Sequence, residues 1–473
     1  MDRRAEIPPG LPRHHPTVSY WQDPPDPICD LRSTEQLPAQ ADFVVIGSGI
    51  SGATIAFNIL EQRPHASVVI LEARQACSGA TGRNGGHQKP RFYRSFLSIL
   101  ASHGLDEALK MGRLEYNCFK AENDFIHRHG IDCDQHSTTT LDVIYEQEEW
   151  DYAVKSLSAM AMKMEPGEGA ATYKLHDAEH TRRDLLCPDA VGAVEYEAGS
   201  IRAYAFVIGI LKLALSKDLN LQTNTPAEAI SPEKSANGQW TVRTSRGDIK
   251  SSKVIMATNG YSAHLYHKLQ GIVVPLRGQV QAQRPGKDMP QKGLRNTYSM
   301  VYSTGYEYMI SQQPGSKNEG DLIMGGGLRQ AKDEGLYEYG ETDDTSLNPI
   351  ISKHLRECTP AYFRDSWGQD NEEGRVRMEW TGIMGYTPDG FPLIGKMPGE
   401  DGLYVSAAFQ GHGMVLSFLC ARALTEILLG NDGKELDSWF PRSFRITEER
   451  LTQRFEGQKD VLRPSDLELK SRL

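Results

Sequence analysis

The sequence predicts an α/β fold of two interlocked domains, and three observations lead to it. The chain has 473 residues, which is more than a single compact core usually holds. Residues 42–56 combine a buried strand, a glycine-containing turn and a helix, which is typical of a nucleotide-binding βαβ unit. A separate strand-rich region covers residues 275–375, which favours a second sheet.

The charge and composition exclude several classes of function. The formal net charge is -10, which argues against a nucleic acid or an anionic membrane as partner, because both require a basic surface. The most apolar stretch, residues 203–215, contains Lys212 and is too short to span a bilayer. The N-terminus lacks the apolar core of a signal peptide. Seven cysteines without a CxxC pair predict no disulfide framework, no metal site and a reducing compartment.

The first 40 residues are rich in proline and polar side chains, with Tyr20 and Trp21 in their middle. We expect an irregular N-terminal arm that lies along the body, because the two aromatic side chains favour docking. A disordered tail is the alternative.

The βαβ unit has the residue pattern of a dinucleotide site. Gly47 permits a tight turn after the strand, Gly49 lets the backbone approach a pyrophosphate, and Gly52 allows close packing of helix on strand. A second strand, residues 68–71, ends at Glu72, 20 positions after Gly52, where a carboxylate accepts hydrogen bonds from ribose hydroxyls. The helix N-terminus offers unpaired N–H groups to the phosphates.

A second loop decides between the two common dinucleotides. Residues 77–87 read CSGATGRNGGH, a polar, glycine-rich segment that carries Arg83. Backbone N–H groups of such a loop can wrap the second part of a long cofactor, which an NAD enzyme does not need at this place. The loop therefore favours FAD.

Local patterns also predict the elements between these motifs. Apolar residues at spacings of three and four predict helix over residues 92–163. Residues 239–244 alternate and precede a glycine turn, which indicates a hairpin. Residues 253–261 read as a buried strand that ends in small residues.

Four separated blocks resemble one family. LEAR at 71–74 with GATGRNGG at 79–86, and TPDGFPLIG at 387–395 with QGHGM at 410–414, are similar to the FAD-dependent D-amino-acid oxidase superfamily. The branch that contains glycine oxidase, sarcosine oxidase and gamma-glutamylputrescine oxidoreductase is the most similar. The resemblance covers most of residues 41–430. PTVSYW at 16–21 and RST at 32–34 resemble a largely uncharacterised fungal group of that family.

This resemblance implies a Rossmann-like FAD-binding domain and a discontinuous substrate domain with a mainly antiparallel sheet. We expect the FAD-binding domain to comprise residues 41–118, 195–262 and 376–430, and the substrate domain to comprise 119–194 and 263–375. The arm would cover 1–40 and a C-terminal extension 431–473.

The residues expected to bind FAD come from the motifs and from positions that the resemblance carries over. They are Gly47, Ser48, Gly49, Ile50, Ser51, Gly52, Glu72, Ala73, Arg74, Gly79, Ala80, Thr81, Arg83, Asn84, Gly85, Gly86, His87, Ala227, Ala257, Thr258, Asn259, Gly260, Gly382, Gly411, His412, Gly413 and Met414.

The family's chemistry implies an oxidase of a C–N bond in an amine or amino acid. A hydride passes to flavin N5, an imine forms, and oxygen is reduced to hydrogen peroxide. A helix starting near Gly413 would stabilise the negative charge of the reduced flavin. His412 either assists in this or anchors the backbone. Candidate catalytic residues are His412, Tyr302, Tyr308 and Arg277; Trp380 and Phe409 are further aromatic candidates for orienting the amine.

Two positions depart from the family's pattern. Gly382 stands where covalent members carry a cysteine, so we expect non-covalent FAD, with His87 as an alternative attachment point. Val415 stands where those enzymes carry a carboxylate-binding lysine, which favours a larger or secondary amine, or another cation such as Arg277 or Arg329.

Alternative functions remain open at this stage. They are a flavin dehydrogenase with a quinone or flavoprotein acceptor, an oxidase of a secondary-metabolite intermediate, and a non-catalytic FAD-binding interaction protein. Residues Ser471, Arg472 and Leu473 form a variant of the peroxisomal SKL address, which predicts a peroxisomal import receptor as partner and the peroxisome as location, with the cytoplasm as the alternative.

Overall fold

The computed structural model describes residues 1–303 and 305–457. Two large sheets form its framework, and the predicted α/β fold of two sheet-based units is confirmed. The strands are β1 (Gln40–Ile46), β2 (Val68–Leu71), β3 (His87–Gln88), β4 (His136–Ile144), β5 (Tyr173–Asp177), β6 (Gly192–Ser200), β7 (Asn220–Gln222), β8 (Ala229–Ile230), β9 (Trp240–Thr244), β10 (Gly247–Met256), β11 (Val274–Gln283), β12 (Thr297–Tyr302), β13 (Gly305–Ser311), β14 (Leu322–Gly325), β15 (Val376–Tyr386), β16 (Leu393–Lys396) and β17 (Leu403–Ala407).

Helices cover the faces and ends of these sheets. They are α1 (Asp2–Ala5), α2 (Ile50–Gln62), α3 (Tyr93–His129), α4 (Gln147–Lys163), α5 (Ala178–Asp184), α6 (Ala203–Leu215), α7 (Ser262–Leu265), α8 (Pro349–Phe363), α9 (Ser417–Leu429), α10 (Lys434–Trp439) and α11 (Glu448–Thr452).

The first sheet has the strand order β16-β17-β10-β1-β2-β7, with β9 joined to β10 and β8 to β9. The strands β17, β10, β1, β2 and β7 pair with one another in parallel in that order, while β16 is antiparallel to β17 and β9 is antiparallel to β10. Because alternate side chains of a strand point to opposite faces, Val45 packs in the apolar cluster under α2, α6 and α9, and Val44 packs in the cluster on the other face. Burial on both faces explains the continuous apolar run of β1.

The second sheet has the order β15-β11-β14-β13-β12-β4-β6-β3, with β5 joined to β6. All its pairings are antiparallel except β12 with β4, which is parallel. This agrees with the expected mainly antiparallel sheet. The longest ladder pairs β11 with β15 and brings residues 274–283 alongside residues 376–386.

The expected segment boundaries stay a prediction, and three strands bear on them. β15, β6 and β3, which the sequence assigned wholly or largely to the FAD-binding segments, all belong to the second sheet. The helix predicted over 92–163 was wrong in part, because β4 interrupts it. The helix α3, which precedes β4, contains a break at Gly104, whose φ of 81° lies outside the helical region. Helical periodicity does not detect a buried strand such as β4, whose last five residues form an unbroken buried run.

The N-terminal arm lies along the body, as expected from its aromatic residues. Trp21 is fully buried, and Tyr20 stacks on Trp380 of β15 with ring centroids 6.2 Å apart. All seven cysteines are free and buried. In residues 1–303 and 305–457, no helix is long and apolar enough to cross a bilayer, and no group of three or more metal-ligating side chains occurs.

Candidate active site

A cavity of about 2140 Å³ opens where the carboxyl ends of the parallel strands meet the second sheet. Its wall includes Gly47 after β1, Glu72 after β2, Ala257 after β10, and Phe409 after β17. This is the place where open α/β sheets bind their ligands. The volume exceeds the roughly 300–1,000 Å³ of ordinary small-molecule sites, which suits a long dinucleotide together with a substrate.

The glycines of the first turn have three different physical roles. Gly47 has a φ of 104°, and a Cβ there would lie 2.5 Å from the Ala257 carbonyl oxygen. A Cβ on Gly52 would lie 1.9 Å from the Gly47 carbonyl oxygen, so this residue serves helix-strand packing and does not line the cavity. Gly49 caps α2, and a Cβ there would meet only the Thr81 side chain, at 3.1 Å. The N-terminus of α2 therefore stays open toward the cavity.

Glu72 is held at the end of β2 by backbone and side-chain donors. Its Oε2 accepts hydrogen bonds from the backbone N–H (3.0 Å) and the Oγ (2.6 Å) of Ser48, and its Oε1 accepts from the Arg74 N–H (2.9 Å). Glu72 also lines the cavity. Because a carboxylate can accept about four hydrogen bonds, capacity for a ligand hydroxyl remains.

The second glycine loop contacts the first turn directly. Its 3₁₀ turn covers Ala80–Arg83, and Thr81 Oγ1 accepts a hydrogen bond from the Ile50 N–H at 3.1 Å. Asn84 Oδ1 accepts from the Gly86 N–H at 2.8 Å. The loop and the N-terminus of α2 thus form one continuous wall of the cavity.

Two arginines that we expected to face the cofactor bind protein groups with their guanidinium ends. Arg83 Nε donates to the Thr381 carbonyl oxygen at 2.5 Å, and its Nη2 donates to Thr17 Oγ1 at 2.7 Å. Arg74 Nη1 lies 2.9 Å from Asp344 Oδ2, and Asp344 is only 1% exposed. Both arginines line the cavity, but their charges are directed at the arm and Asp344, so phosphate binding by these charges is not favoured.

All but three of the predicted FAD-binding residues line the cavity. The exceptions are Gly52, Gly86 and Gly260. A Cβ on Gly86 would lie 2.5 Å from the Ile201 carbonyl oxygen, and one on Gly260 would lie 2.4 Å from the Met384 carbonyl oxygen. These glycines permit close packing behind the wall, which a motif in the sequence does not distinguish from ligand contact.

Buried polar atoms in the cavity wall provide a test of whether FAD fits. Tyr261 Oη, His264 Nε2 and Ser406 Oγ are buried, and they have no hydrogen-bond partner among residues 1–303 and 305–457. All three residues line the cavity. Buried polar groups are normally paired, so unpaired ones here call for a polar ligand. Together with the open end of α2 and Glu72, these groups fit a dinucleotide such as FAD.

The turn at residues 411–413 carries His412, which faces Glu115 of α3. His412 Nε2 lies 3.2 Å from Glu115 Oε2, an ion-pair distance without the alignment of a hydrogen bond. Burial lowers the pKa of His412, Glu115 opposes this, and Arg91 and Lys89 lower it further. The expected helix start near Gly413 was wrong: a 3₁₀ turn covers Gly413–Val415 and α9 begins at Ser417.

The remaining catalytic candidates differ in their positions. Tyr308 lies against the second loop, because a Cβ on Gly85 would lie 2.2 Å from its ring. The Tyr302 hydroxyl donates to Glu307 at 2.6 Å. Both tyrosines line the cavity. Trp380 does not, because it is fully buried and its Nε1 donates to the Arg83 carbonyl oxygen.

Arg277 is fully engaged by protein groups. Its Nε and Nη2 donate to the two carboxylate oxygens of Glu338, at 2.7 and 3.2 Å, and its Nη1 donates to Ser346 Oγ. A bidentate pair of this kind leaves little capacity for a ligand. Arg277 lines the cavity, but its choice as an anion-binding cation is not supported.

The sequence reasoning missed a cationic cluster that follows the second loop. Lys89, Arg91 and Arg94 line the cavity and lie 5.8, 5.3 and 5.5 Å from the ring centroid of Tyr306. One buried carboxylate, Asp142, faces the cluster: it accepts hydrogen bonds from Lys89 Nζ at 3.1 Å and from Arg94 Nε at 2.9 Å. The guanidinium of Arg91 has no hydrogen bond or ion pair within the described part of the chain.

The electrostatics of this cluster follow from its burial. Burial lowers the pKa of Lys89 to about 7, Asp142 opposes the shift, and Arg94 and Arg91 add to it. The pKa of Asp142 is held far below its usual range by Arg94 and Lys89, although burial acts the other way. The basic run KPRFYR at 89–94 was visible in the sequence, but its meaning depends on Asp142 and Tyr306, which are far away along the chain.

Comparisons with known proteins show the family of the chain. A family model described as FAD dependent oxidoreductase (DAO) matches residues 42–427. Gamma-glutamylputrescine oxidoreductase of Escherichia coli (strain K12) is 24% identical, and the alignment covers 84% of this chain and 85% of that protein. Glycine oxidase of Pseudomonas putida is 23% identical, and the alignment covers 82% of this chain and 94% of that protein.

The fold also matches solved structures. The crystal structure of glycine oxidase from Geobacillus kaustophilus superposes with a TM-score of 0.67 at 19% identity, over 87% of this chain and 99% of that one. These relatives are bacterial, so they do not support the expected resemblance of the arm to a fungal group.

Proposed function

As a member of the DAO family of FAD-dependent oxidoreductases, the chain is an FAD-binding oxidoreductase of the amine and amino-acid type, and we propose that it oxidises the C–N bond of an amino acid and passes the electrons to oxygen. FAD, when bound, supplies a hydride acceptor at its N5 and a route for electrons to oxygen, which yields hydrogen peroxide. The protein's own groups bind the substrate, orient it and hold its proton.

The cationic cluster of Lys89, Arg91 and Arg94 is the observation that carries this proposal. All three cations lie in the wall of the cavity that fits FAD, and Lys89 and Arg94 pair with one buried carboxylate, Asp142. Asp142 is already shared by Lys89 and Arg94, whereas the Arg91 guanidinium is unpaired within the described residues. A carboxylate substrate would pair with Arg91 and reduce the excess positive charge. A plain amine would add a further positive charge instead.

His412 is the group we assign to the substrate's proton. An amine must be neutral before its carbon can release a hydride, so an ammonium proton needs an acceptor. Burial keeps His412 neutral by lowering its pKa, and Glu115, which lies beside Nε2, would stabilise the imidazolium once the other ring nitrogen has taken the proton. His412 and Arg91 act on each other electrostatically, so the acceptor and the proposed carboxylate site share one part of the wall.

The names of the relatives support this class of substrate without defining the compound. Glycine oxidase and D-amino acid dehydrogenase are named after amino acids, and gamma-glutamylputrescine oxidoreductase after a modified amine. A dehydrogenase that uses another acceptor, an oxidase of a secondary-metabolite intermediate and a non-catalytic FAD-binding protein remain the alternatives.

Anaerobic bleaching of the flavin absorbance tests the reaction. The purified yellow protein would be mixed with D-, L- and N-methyl amino acids, and with matched amines that lack the carboxylate. We expect bleaching by one or more amino acids, at concentrations about tenfold or more below those of the matched amine, because a charge-assisted hydrogen bond contributes about 1.5–3 kcal/mol. Admission of oxygen should restore the colour and release peroxide.

Each alternative predicts another result. Turnover with a dye but not with oxygen would indicate a dehydrogenase, and a flavin that no amine bleaches would indicate a non-catalytic protein. An Arg91→Gln variant should lose the preference for the acid over the amine. Arg454→Gln is the matched control, because Arg454 also lines the cavity but lies outside the cluster.

We also propose that residues Ser471, Arg472 and Leu473 direct the protein to peroxisomes. They lie outside the described residues, and the support is their similarity to the SKL address together with the peroxide expected from an oxidase. Removal of the three residues should leave the activity unchanged and abolish import into peroxisomes, as seen with a fluorescent fusion. Unchanged import would refute the proposal.

A further inference from the structure

The N-terminal arm contacts the outer side of the loop that carries half of the FAD site. Ser19 Oγ donates to the Gly82 carbonyl oxygen at 2.6 Å, and Trp21 Nε1 donates to the Asn84 carbonyl oxygen. In the opposite direction, Arg83 donates to Thr17 Oγ1 at 2.7 Å. The arm thus binds the carbonyl oxygens of Gly82 and Asn84 and the Nη2 of Arg83.

The arm is packed as tightly as a core element at this contact. Trp21 and Ser19 are both fully buried, and Trp21 lies so close to Gly86 that a Cβ there would be 3.1 Å from its ring. Gln22 packs similarly against Gly82, where a Cβ would be 3.1 Å from Nε2. The loop therefore cannot move outward unless the arm detaches first.

The arm also closes part of the cavity and joins the two sheet-based units. Gly10, Leu11 and Pro12 contribute to the cavity wall. The Arg13 carbonyl oxygen accepts a hydrogen bond from Arg74 at 3.1 Å, and the Thr17 N–H donates to the Asp344 carbonyl oxygen at 2.8 Å. The match to the family model begins at residue 42, after the arm.

We propose that residues 10–22 form a strap that retains FAD, with Ser19 and Trp21 as positioning residues for the loop at 79–86. The strap fixes the loop from outside, and FAD would contact the same loop from the cavity side. Each should then stabilise the other, because a coupling free energy between two binding events is reciprocal. The strap should slow FAD release, and FAD should keep the strap docked. This inference depends on FAD binding and not on the proposed substrate.

The first test measures FAD release from the purified holoprotein. Flavin fluorescence after dilution reports free FAD in the wild type and in the Ser19→Ala and Trp21→Ala variants. We expect release to be about threefold to tenfold faster in Ser19→Ala, the range that one net hydrogen bond supplies, and faster still in Trp21→Ala. Val18→Ala is the control, because Val18 directly precedes Ser19 and is 62% exposed.

Thermal unfolding separates retention of FAD from a general loss of stability. If the strap retains FAD, the Ser19→Ala variant should show a smaller rise in Tm on addition of excess FAD than the wild type. The Tm of the FAD-depleted protein should change little. Equal loss in both states, or release of FAD at the wild-type rate in Ser19→Ala, would overturn the proposal. If Trp21→Ala does not fold, Ser19→Ala still decides.

Limited proteolysis tests the reverse coupling. Trypsin should cut after Arg13 faster in FAD-depleted protein than in holoprotein, because the Arg13 carbonyl oxygen is bound by Arg74 only while the strap is docked. The N-terminal fragment is followed by mass spectrometry. Cleavage at the same rate with and without FAD would also overturn the proposal, and neither test requires a substrate.

Discussion

Lys89 Nζ lies 3.1 Å from Asp142 Oδ1 in the wall of the cavity, and both side chains are almost completely buried. The carboxylate also accepts hydrogen bonds from the Tyr93 and Tyr196 hydroxyls, at 2.7 and 3.0 Å, so four protein groups including Arg94 converge on it. Because four donors hold the Asp142 carboxylate in one orientation, Lys89 and Arg94 are in turn held in position in the cavity wall.

This relationship predicts a pH dependence of anion binding. Burial lowers the pKa of Lys89 to about 7. The ammonium is charged below that pH and neutral above it, so the affinity for a carboxylate ligand should fall as the pH rises from about 6 to 8. We expect a weakening of about tenfold, the contribution of one charge-assisted hydrogen bond. Titration with benzoate, followed by the change in flavin absorbance, measures it.

A Lys89→Met variant is the control for this prediction. Its dissociation constant should be nearly independent of pH in the same range, and close to the wild-type value at pH 8. A wild-type dissociation constant that stays constant between pH 6 and 8 would contradict the assignment of Lys89.

The glycines of the first turn predict two different defects. In Gly52→Ala the new Cβ would lie 1.9 Å from the Gly47 carbonyl oxygen, so α2 must shift and the fold should be destabilised by about 1–3 kcal/mol or more. In Gly49→Ala the Cβ meets only the Thr81 side chain, so the protein should fold but bind little FAD. Thermal unfolding and the ratio of flavin to protein absorbance separate the two; full FAD retention in Gly49→Ala would argue against the turn.

These glycines also show what the sequence alone could predict. The geometry of the βαβ unit could be predicted from the sequence, because the turn, the helix start and the second strand all lie within the 26 consecutive residues from Gly47 to Glu72. The fold class and the position of the nucleotide site followed from that local signal. Most of the predicted wall residues indeed line the cavity.

The substrate side of the site was harder to predict because its meaning depends on distant contacts. Arg277 looked like a free cation until Glu338, 61 positions away, proved to pair with it. Arg91 was not among the candidates, because only the fold places its guanidinium over the ring of Tyr306. No local pattern records which cation is neutralised by the fold and which one stays unpaired.

The buried ion pairs of Asp344 with Arg74 and Arg83 predict a large loss of stability when this carboxylate is neutralised. It is 1% exposed and lies 2.9 Å from Arg74 and 3.9 Å from Arg83. Asp344→Asn would leave two buried guanidinium groups without a counterion, which should cost about 3–5 kcal/mol of the free energy of unfolding in urea. Asp343→Asn is the matched control, because Asp343 is partly exposed and 3.9 Å from Arg13, and its effect should be much smaller. Equal effects would contradict the buried pair.

His87 decides whether FAD is attached covalently. Its Nε2 is already 2.7 Å from Thr297 Oγ1, and burial, with help from Lys89, lowers its pKa well below the usual value. Gly382 offers no thiol at the other expected attachment point. Acid precipitation should therefore release the yellow colour into the supernatant. A yellow pellet from the wild type that turns colourless in His87→Gln would establish a histidyl bond instead.

Substitution of Glu115 tests His412 as the proton acceptor while the imidazole stays in place. Activity should be lost at low pH as His412 becomes protonated, so the acidic limb of kcat/KM reports the pKa of His412. Glu115 raises that pKa, against the effects of burial, Arg91 and Lys89. In Glu115→Gln the raising charge is gone, so the pKa of His412 should fall and activity should persist to lower pH. His412→Gln should abolish the limb and lower kcat/KM by about 10²–10⁴-fold, the usual contribution of a general base. An acidic limb that stays at the wild-type pH in Glu115→Gln would assign the proton to another group.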